Sequence, residues 1–149
     1  MHPLQSKEII QIGVVVRDLD AALDKYVKLF GLTERPGIRT VFPTINYRGK
    51  SIVSKSRLSG FRMGAITLEL IEPDEGPSSW REFLDEHGEG VHHVGIVVDD
   101  RNEALATLAA EGIEPRQFGG ASWGSYTITD SKALGVLFSV KCNAPFAMQ

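Results

Sequence analysis

One pattern of apolar and polar positions occurs twice along the chain. Gln11-Ile-Gly-Val-Val-Val-Arg-Asp18 aligns without a gap with His93-Val-Gly-Ile-Val-Val-Asp-Asp100. The glycine, the paired valines and the final aspartate coincide, and Ala22-Leu23 and Ala104-Leu105 follow at equal distances. Self-similarity of this kind indicates that one supersecondary unit has been duplicated.

Each copy predicts a strand followed by a helix. Residues 9–16 are rich in the β-branched side chains that are typical of a buried strand. Asp18 is suited to cap the helix that follows, and Gly31 to end it. In the second copy, Asp100 and Gly112 take the same two positions.

Three strand-like segments follow each predicted helix, at residues 40–47, 50–58 and 63–71 and at residues 115–119, 125–129 and 135–142. Turn residues at Arg48-Gly49 and Ser59-Gly60 separate those of the first half. A short helix is predicted at residues 80–87, between the halves, with Ser78 suited to cap it. The chain therefore predicts two βαβββ modules, at 9–72 and 91–142, joined by a linker and short helix at 73–90.

Composition restricts the class of protein. A chain of 149 residues with 42% hydrophobic residues suits one compact domain. A net charge of -3 gives no overall attraction to nucleic acid or to an anionic membrane, and no apolar run is long enough to span a bilayer. The first eight residues lack the features of a secretory signal, and Cys142 has no second cysteine to pair with. We therefore expect a cytoplasmic location.

The duplicated motif, together with Leu68-Glu-Leu-Ile-Glu-Pro, Trp80-Arg-Glu-Phe-Leu and Gly88-Glu-Gly-Val-His-His, resembles the vicinal oxygen chelate superfamily. That superfamily includes glyoxalase I, methylmalonyl-CoA epimerase, extradiol dioxygenases and the fosfomycin and bleomycin resistance proteins, and the epimerase and glyoxalase branch is the most similar. The resemblance covers residues 9–141. It implies an α+β fold in which two modules meet edge to edge and form an open, barrel-like cup around metal and substrate. It also implies a homodimer.

Strand alternation indicates which side chains share a face. Gln11 and His93 occupy equivalent positions in the two copies, and Glu69 is an isolated carboxylate between two leucines. The resemblance implies that the metal ligands are Gln11, Glu69 and His93. The family's fourth ligand, a glutamate, is replaced here by Ser139, which we assign to substrate binding. The alternative is that these are ordinary polar residues, hydrogen-bonded across the sheet.

Three N/O ligands and water suit a divalent metal ion, and the sequence does not distinguish Zn, Mn, Co, Ni and Fe. By alternation, His92 points away from His93 and is expected to pack against a helix.

The resemblance also implies chemistry in which the metal stabilises an enolate, with the glutamate missing at Ser139 as the usual base. Three other residues are candidates for catalysis: Glu69, Lys141 and Tyr126. Lys141 shares a predicted strand face with Ser139, and a buried lysine can lose its proton near neutral pH. The alternatives are a solvated lysine at a strand end and an ordinary strand aromatic.

The segment 33–63 is strongly basic. Its only acid is Glu34, and its cations are Arg35, Arg39, Arg48, Lys50, Lys55, Arg57 and Arg62. This favours an anionic small molecule such as a CoA thioester, a glutathione conjugate or a carboxylate. Alternatively, the charges protect edge strands from aggregation. Trp123, in a flexible loop at 119–124, is a second candidate for substrate binding, whereas Trp80 is expected to anchor the short helix.

The sequence thus favours a metal-dependent lyase or isomerase, epimerase- or glyoxalase-like, that acts on a small carbonyl acid or thioester. The alternative is a non-catalytic ligand-binding or resistance-type protein, which Ser139 favours. A ring-cleaving dioxygenase is disfavoured, because Gln11 and Ser139 replace a histidine and the carboxylate of its iron site.

Overall fold

The computed structural model describes residues 3–40 and 44–148. Within them, the elements in chain order are β1 Ile9–Val15, α1 Leu19–Phe30, β2 Arg39–Thr40, β3 Thr44–Tyr47, β4 Lys50–Val53, β5 Arg57–Met63, β6 Ile66–Glu72, α2 Ser79–His87, β7 Gly90–Val98, α3 Arg101–Ala109, β8 Pro115–Ala121, β9 Gly124–Thr129, a 3₁₀ helix Lys132–Leu134 and β10 Leu137–Cys142. Residues 41–43 of the first predicted strand after α1 lie outside the described residues.

The described strands form one mixed sheet with the order β2-β5-β6-β1-β7-β10-β9-β8-β3-β4. The first strands of the two modules, β1 and β7, pair antiparallel at its centre. Each of them pairs in parallel with the last strand of its own module, β1 with β6 and β7 with β10. The modules thus meet edge to edge, and the sheet curls into a cup, which confirms the predicted α+β fold.

The hairpin β3–β4 leaves its own module and pairs with β8 of the other one. Its register places Asn46 opposite Phe118 and Tyr47 opposite Gln117. Arg48 and Gly49 form its two-residue turn with φ of 50° and 82°, and positive φ at both positions matches the twist of a hairpin. The Arg48 guanidinium also binds Glu82 of α2 at 2.8 Å. The first module therefore contributes strands to both ends of the sheet.

One predicted turn is wrong. Ser59-Gly60 lies inside β5, and the chain turns instead at Gly64, where φ is 66°. Gly60 pairs with Glu69, and a Cβ added there would lie 3.3 Å from the Leu68 carbonyl oxygen. The glycine permits close approach of two strands, and sequence alone reads such a residue as a turn.

The helices begin where the sequence predicts. Asp18, Ser78 and Asp100 each accept a hydrogen bond from a backbone N–H in the first turn. Gly31, with φ of 62°, ends α1 as expected, whereas α3 ends at Ala109, before Gly112. None of the helices in the described parts of the chain has both the length and the apolar content needed to cross a membrane.

Three apolar clusters hold the sheet and helices together. Leu19 and Leu23 of α1 pack with Leu70 on the outer face of the first module. Helix α3 covers the second module in the same way, through Ala104 and Leu108. The third cluster lies inside the cup, where Trp80 and Leu84 of α2 pack with Val15, Ile71 and Ile128. Helix α2 thereby closes one end of the cup and leaves the other end to a cavity.

Candidate metal and substrate site

A cavity of about 700 Å³ occupies the concave face of the sheet, a size typical of small-molecule sites. All the side chains that the sequence marks for metal, substrate or catalysis lie on its wall: Gln11, Glu69, His93, Trp123, Tyr126, Ser139 and Lys141. The structure therefore brings together residues from both modules that are up to 130 positions apart in the chain.

The duplicated glycines explain why the polar side chains converge. A Cβ added at Gly13 would lie 2.1 Å from the His93 ring, and one at Gly95 would lie 2.9 Å from Gln11 Cβ. Each glycine thus leaves the space that the other module's polar side chain fills. The exchange is reciprocal, since β1 and β7 pair antiparallel with Gly13 opposite His93 and Gln11 opposite Gly95.

The three predicted ligands are in mutual contact and buried. Gln11 Nε2 donates to Glu69 Oε2 at 2.9 Å, and Gln11 Oε1 lies 3.0 Å from His93 Nε2. The distance from His93 Nε2 to Glu69 Oε1 is 3.8 Å. Two ligand atoms that each lie about 2.0–2.2 Å from one ion are separated from each other by roughly 3–4 Å. The distances from His93 Nε2 to Gln11 Oε1 and to Glu69 Oε1 are compatible with a shared divalent cation, whereas the 2.9 Å contact is a hydrogen bond from the Gln11 amide nitrogen, which is not a metal ligand.

Only two of the three predicted metal ligands, Glu69 and His93, are of the residue types that most often bind metal ions. No cluster of three or more His, Cys, Asp or Glu side chains is placed to hold a metal ion within residues 3–40 and 44–148. A cation here would need the Gln11 amide oxygen as its third protein ligand. One imidazole, one carboxylate and one amide oxygen suit a borderline or hard divalent ion.

Burial governs the protonation of the site. It lowers the pKa of His93 well below its usual value, and the neighbouring His92 and the Lys141 ammonium lower it further. Burial raises the pKa of Glu69, although Lys141, Arg39 and Gln11 oppose this effect. Burial also lowers the pKa of Lys141, against the attraction of Glu69. His93 is therefore neutral at pH 7, the form that binds metal.

The predicted orientation of His92 is wrong in part. Gly13 pairs with His93 but Val14 pairs with Val91, so His92 is the extra residue of a β-bulge in β7. The bulge brings His92 Nδ1 to 2.8 Å from His93 Nδ1. His92 also contacts Phe83 of α2 edge-on, so the expected packing against a helix is confirmed. Strict alternation of faces fails here because a bulge interrupts it.

Tyr126 and Trp80 form an aromatic wall. Tyr126 accepts a hydrogen bond from Gln117 Nε2 at 3.0 Å, and burial raises its pKa above the usual value. The rings of Trp80 and Tyr126 stack at 6.0 Å. Trp80 anchors α2 as expected, but it also lines the cavity, which sequence reasoning missed.

The prediction of a flexible loop at 119–124 is wrong. Strand β8 extends to Ala121 and β9 begins at Gly124, so a tight two-residue turn presents Trp123. Its side chain is 54% exposed and lines the cavity.

Three of the seven cations in the basic segment form ion pairs. Arg35 binds Asp20 and Asp24, Arg48 binds Glu82, and Arg57 binds Asp20 and Glu72. Of the cations in that segment, Arg39 lines the cavity, together with Lys141 from β10. The expectation of a broad basic wall is therefore wrong for the paired arginines, because acids distant in the chain bind them.

Comparisons with known proteins agree with this fold. A family model described as "Glyoxalase/Bleomycin resistance protein/Dioxygenase superfamily" matches residues 10–126. Over 68 residues, the chain is 32% identical to the uncharacterized protein YqjC of Bacillus subtilis (strain 168), covering 42% of this chain and 49% of that protein. The chain thus matches about half the length of this curated relative.

Two solved structures are similar over nearly the whole chain. One is a methylmalonyl-CoA epimerase in complex with methylmalonyl-CoA and NH4+, with a TM-score of 0.66 and 23% identity, covering 94% of this chain and 96% of that one. The other is the methylmalonyl-CoA epimerase of Mycobacterium tuberculosis, with a TM-score of 0.66 and 20% identity, covering 97% and 93%. At these identities, the similarity establishes the fold.

Proposed function

Because the chain belongs to the Glyoxalase/Bleomycin resistance protein/Dioxygenase superfamily, we propose that it is a metal-dependent isomerase or lyase of the epimerase or glyoxalase type. Its substrate is a small carbonyl acid or thioester. The observation that carries the proposal is the convergence of Gln11, Glu69 and His93 at 2.9–3.8 Å inside one cavity. A predicted homodimer and a cytoplasmic location stay predictions.

The cation would be held by Gln11 Oε1, the Glu69 carboxylate and His93 Nε2. When bound, a divalent ion supplies Lewis-acid stabilisation of negative charge that develops on a carbonyl oxygen. The cavity is also lined by Leu58, Trp80 and Ile128, which provide apolar surface for the rest of the substrate.

Lys141 is our choice for proton transfer next to the carbonyl. It lines the cavity and lies across the β9–β10 ladder from Tyr126. Its lowered pKa increases the fraction of neutral amine, the form that accepts a proton. Glu69, in contrast, already contacts Gln11 and His93, so we assign it to the cation. Tyr126, protonated at neutral pH, can orient the substrate through its hydroxyl.

Arg39 gives the site its preference for an anion. It is in the cavity wall and forms no ion pair with another described residue at salt-bridge distance. A guanidinium binds a carboxylate or phosphate in two-pronged geometry. The solved relative that carries methylmalonyl-CoA makes an acyl-CoA our first substrate to test.

A second candidate function is non-catalytic ligand binding. Ser139 occupies the wall position from which the resemblance expects a fourth, acidic ligand, and it is buried. The three remaining ligands also satisfy each other by hydrogen bonding without a cation. A protein of this kind would bind a small anion in the same cavity and catalyse no proton exchange.

The test combines metal analysis with proton exchange. Purified protein is reconstituted with Zn, Mn, Co, Ni or Fe(II), and metal content is measured for wild type, His93→Ala and the matched control His87→Ala, which alters an exposed histidine. Each sample is then incubated with methylmalonyl-CoA in D₂O, and deuterium incorporation is read by mass spectrometry. The proposal is supported if wild type and His87→Ala bind metal stoichiometrically and catalyse exchange, and His93→Ala does neither. Wild type without metal overturns it in favour of ligand binding.

A further inference from the structure

A chain of hydrogen-bonded side chains connects helix α2 to the candidate metal site. Ser79 Oγ lies 2.9 Å from His92 Nε2, and His92 Nδ1 lies 2.8 Å from His93 Nδ1. His93 Nε2 continues to Gln11 Oε1, whose amide donates to Glu69. All five side chains are buried, so a group that lost its partner would bear a desolvation cost.

His92 is held firmly in this chain. It is 1% exposed, and its ring packs edge-on against Phe83 with 5.5 Å between the centroids. Its partner Ser79 is fixed in turn, because the Ser79 backbone N–H donates to Gln117 Oε1 at 2.7 Å. The bulge in β7 makes the contact possible, since consecutive strand residues otherwise point to opposite faces.

Two neutral imidazoles in contact through Nδ1 must share one proton between those atoms, because one donates and the other accepts. Without a cation, His93 Nε2–H donates to Gln11, so His93 Nδ1 accepts from His92 Nδ1–H. His92 Nε2 then accepts from the Ser79 hydroxyl.

With a cation on His93 Nε2, the hydrogen bonds between His93 and His92 and between His92 and Ser79 reverse direction. His93 Nδ1–H donates to His92 Nδ1, and His92 Nε2–H donates to Ser79 Oγ. Each ring carries one proton in both arrangements, so the two differ in tautomer and not in net charge.

We propose that His92 is a positioning residue that sets the tautomer of His93 and thereby the affinity of the site for a divalent cation. The inference rests on the proposed function only for the presence of the cation. Without an acceptor at position 92, the cation-bound His93 would leave a buried Nδ1–H unpaired. Removal of such a partner of a metal-ligating histidine lowers metal affinity by about 10- to 100-fold.

The affinity test uses Zn²⁺, because its complexes are diamagnetic, with a competing chelator. We expect His92→Phe to weaken zinc binding by about 10- to 100-fold. His92→Asn keeps an acceptor and should lose less, and Ser79→Ala, which removes the last link, should lose less than His92→Phe. The control His87→Asn should bind as wild type does. Far-UV circular dichroism verifies that each variant is folded. Unchanged affinity in a folded His92→Phe would overturn the inference while leaving the proposed function intact.

The tautomers themselves are read by NMR of ¹⁵N-histidine-labelled protein. Without metal, the proton of His92 should reside on Nδ1 and that of His93 on Nε2, and zinc should exchange both assignments together. If wild type binds no divalent ion, the proposed function fails. The metal-free spectrum alone then tests the predicted tautomers of His92 and His93. A metal-free His92 with its proton on Nε2 would overturn the inference.

Discussion

The two modules share a backbone and differ in chemistry. In the first, Gly13 pairs with Glu69 across the parallel strands β1 and β6, and in the second, Gly95 pairs with Ser139 across β7 and β10. Gln11 in the first module is therefore equivalent to His93 in the second, and Glu69 is equivalent to Ser139. The first module supplies an amide and a carboxylate, whereas the second supplies an imidazole and a hydroxyl. Duplication thus places four side chains around one site, and the residue types at those four positions decide how much negative charge the site offers to a cation.

A second difference lies two residues further along the last strands. Lys141 in β10 takes the place that Ile71 has in β6. Ile71 belongs to the apolar cluster under α2, while Lys141 lines the cavity. This position therefore supports the cup in the first module, and in the second it places the proposed base in the cavity.

The largest effect should come from replacing the proposed base, Lys141. An arginine at position 141 stays charged at all relevant pH values. We expect Lys141→Arg to reduce substrate proton exchange by about 10²- to 10⁴-fold. In wild type, the rate should rise with pH and level off below the usual lysine pKa of 10.5, because burial lowers the pKa of Lys141. Exchange rates of both proteins across pH, measured in D₂O, test this, and an unchanged rate in Lys141→Arg would exclude Lys141 as the base.

The reciprocal glycines give the next effect. A Cβ at position 13 would lie 2.1 Å from the present His93 ring, so Gly13→Ala must displace that ring, whereas Gly95→Ala meets Gln11 at 2.9 Å. We expect Gly13→Ala to abolish stoichiometric metal binding and to lower the free energy of unfolding by about 1–3 kcal/mol. Gly95→Ala should do less in both respects. Urea unfolding and metal analysis of the pair measure the difference, and equal effects would contradict the reciprocal arrangement.

Restoring the symmetry should have an intermediate effect. Ser139→Glu places a carboxylate opposite Gly95, as Glu69 lies opposite Gly13. An additional anionic ligand should tighten divalent-metal binding, and it should create or raise epimerase or glyoxalase activity. Ser139→Gln, of similar size without the charge, is the control. No gain in metal affinity or activity in the metal-replete Ser139→Glu protein would count against position 139 as the fourth ligand position.

The smallest expected effect is a pH dependence of stability that the two buried histidines of the second module supply. Burial lowers the pKa of His92 to about 3 and that of His93 well below its usual value. A histidine with a lowered pKa in the folded state contributes stability above its unfolded pKa, and this is lost as the pH falls. From pH 7 to 6, the two should together cost about 1 kcal/mol. Urea unfolding at both pH values measures this, and His92→Phe should halve the change.

Predictions made from the sequence were accurate where they depended on local properties. The strand-and-helix unit, the caps at Asp18, Ser78 and Asp100 and the turn at Arg48-Gly49 follow from side-chain propensity and backbone dihedral preferences. The alignment of the two copies placed Gln11 and His93 at equivalent positions, which the sheet places in one cavity wall.

Other features needed partners that are distant in the chain. Gly60 was predicted in a turn because its strand partner, Glu69, cannot be identified from the residues next to Gly60, and the pairing of Tyr47 with Gln117 crosses from one module to the other. The sequence favoured an anionic substrate near Arg35, Arg48 and Arg57, but the structure pairs these arginines with acids from α1, α2 and β6. Arg39 could be told apart from its neighbours only by its position in the cavity.

The sequence by itself determined the duplicated unit, the faces of its strands and the residue types available for chemistry, because these depend on spacing within a few residues. Tertiary structure decided that His92 turns toward His93, that two glycines make room for each other's partners, and which cations reach the cavity. Those outcomes depend on strand register, a bulge and close contacts between the modules, which no local pattern of side chains encodes.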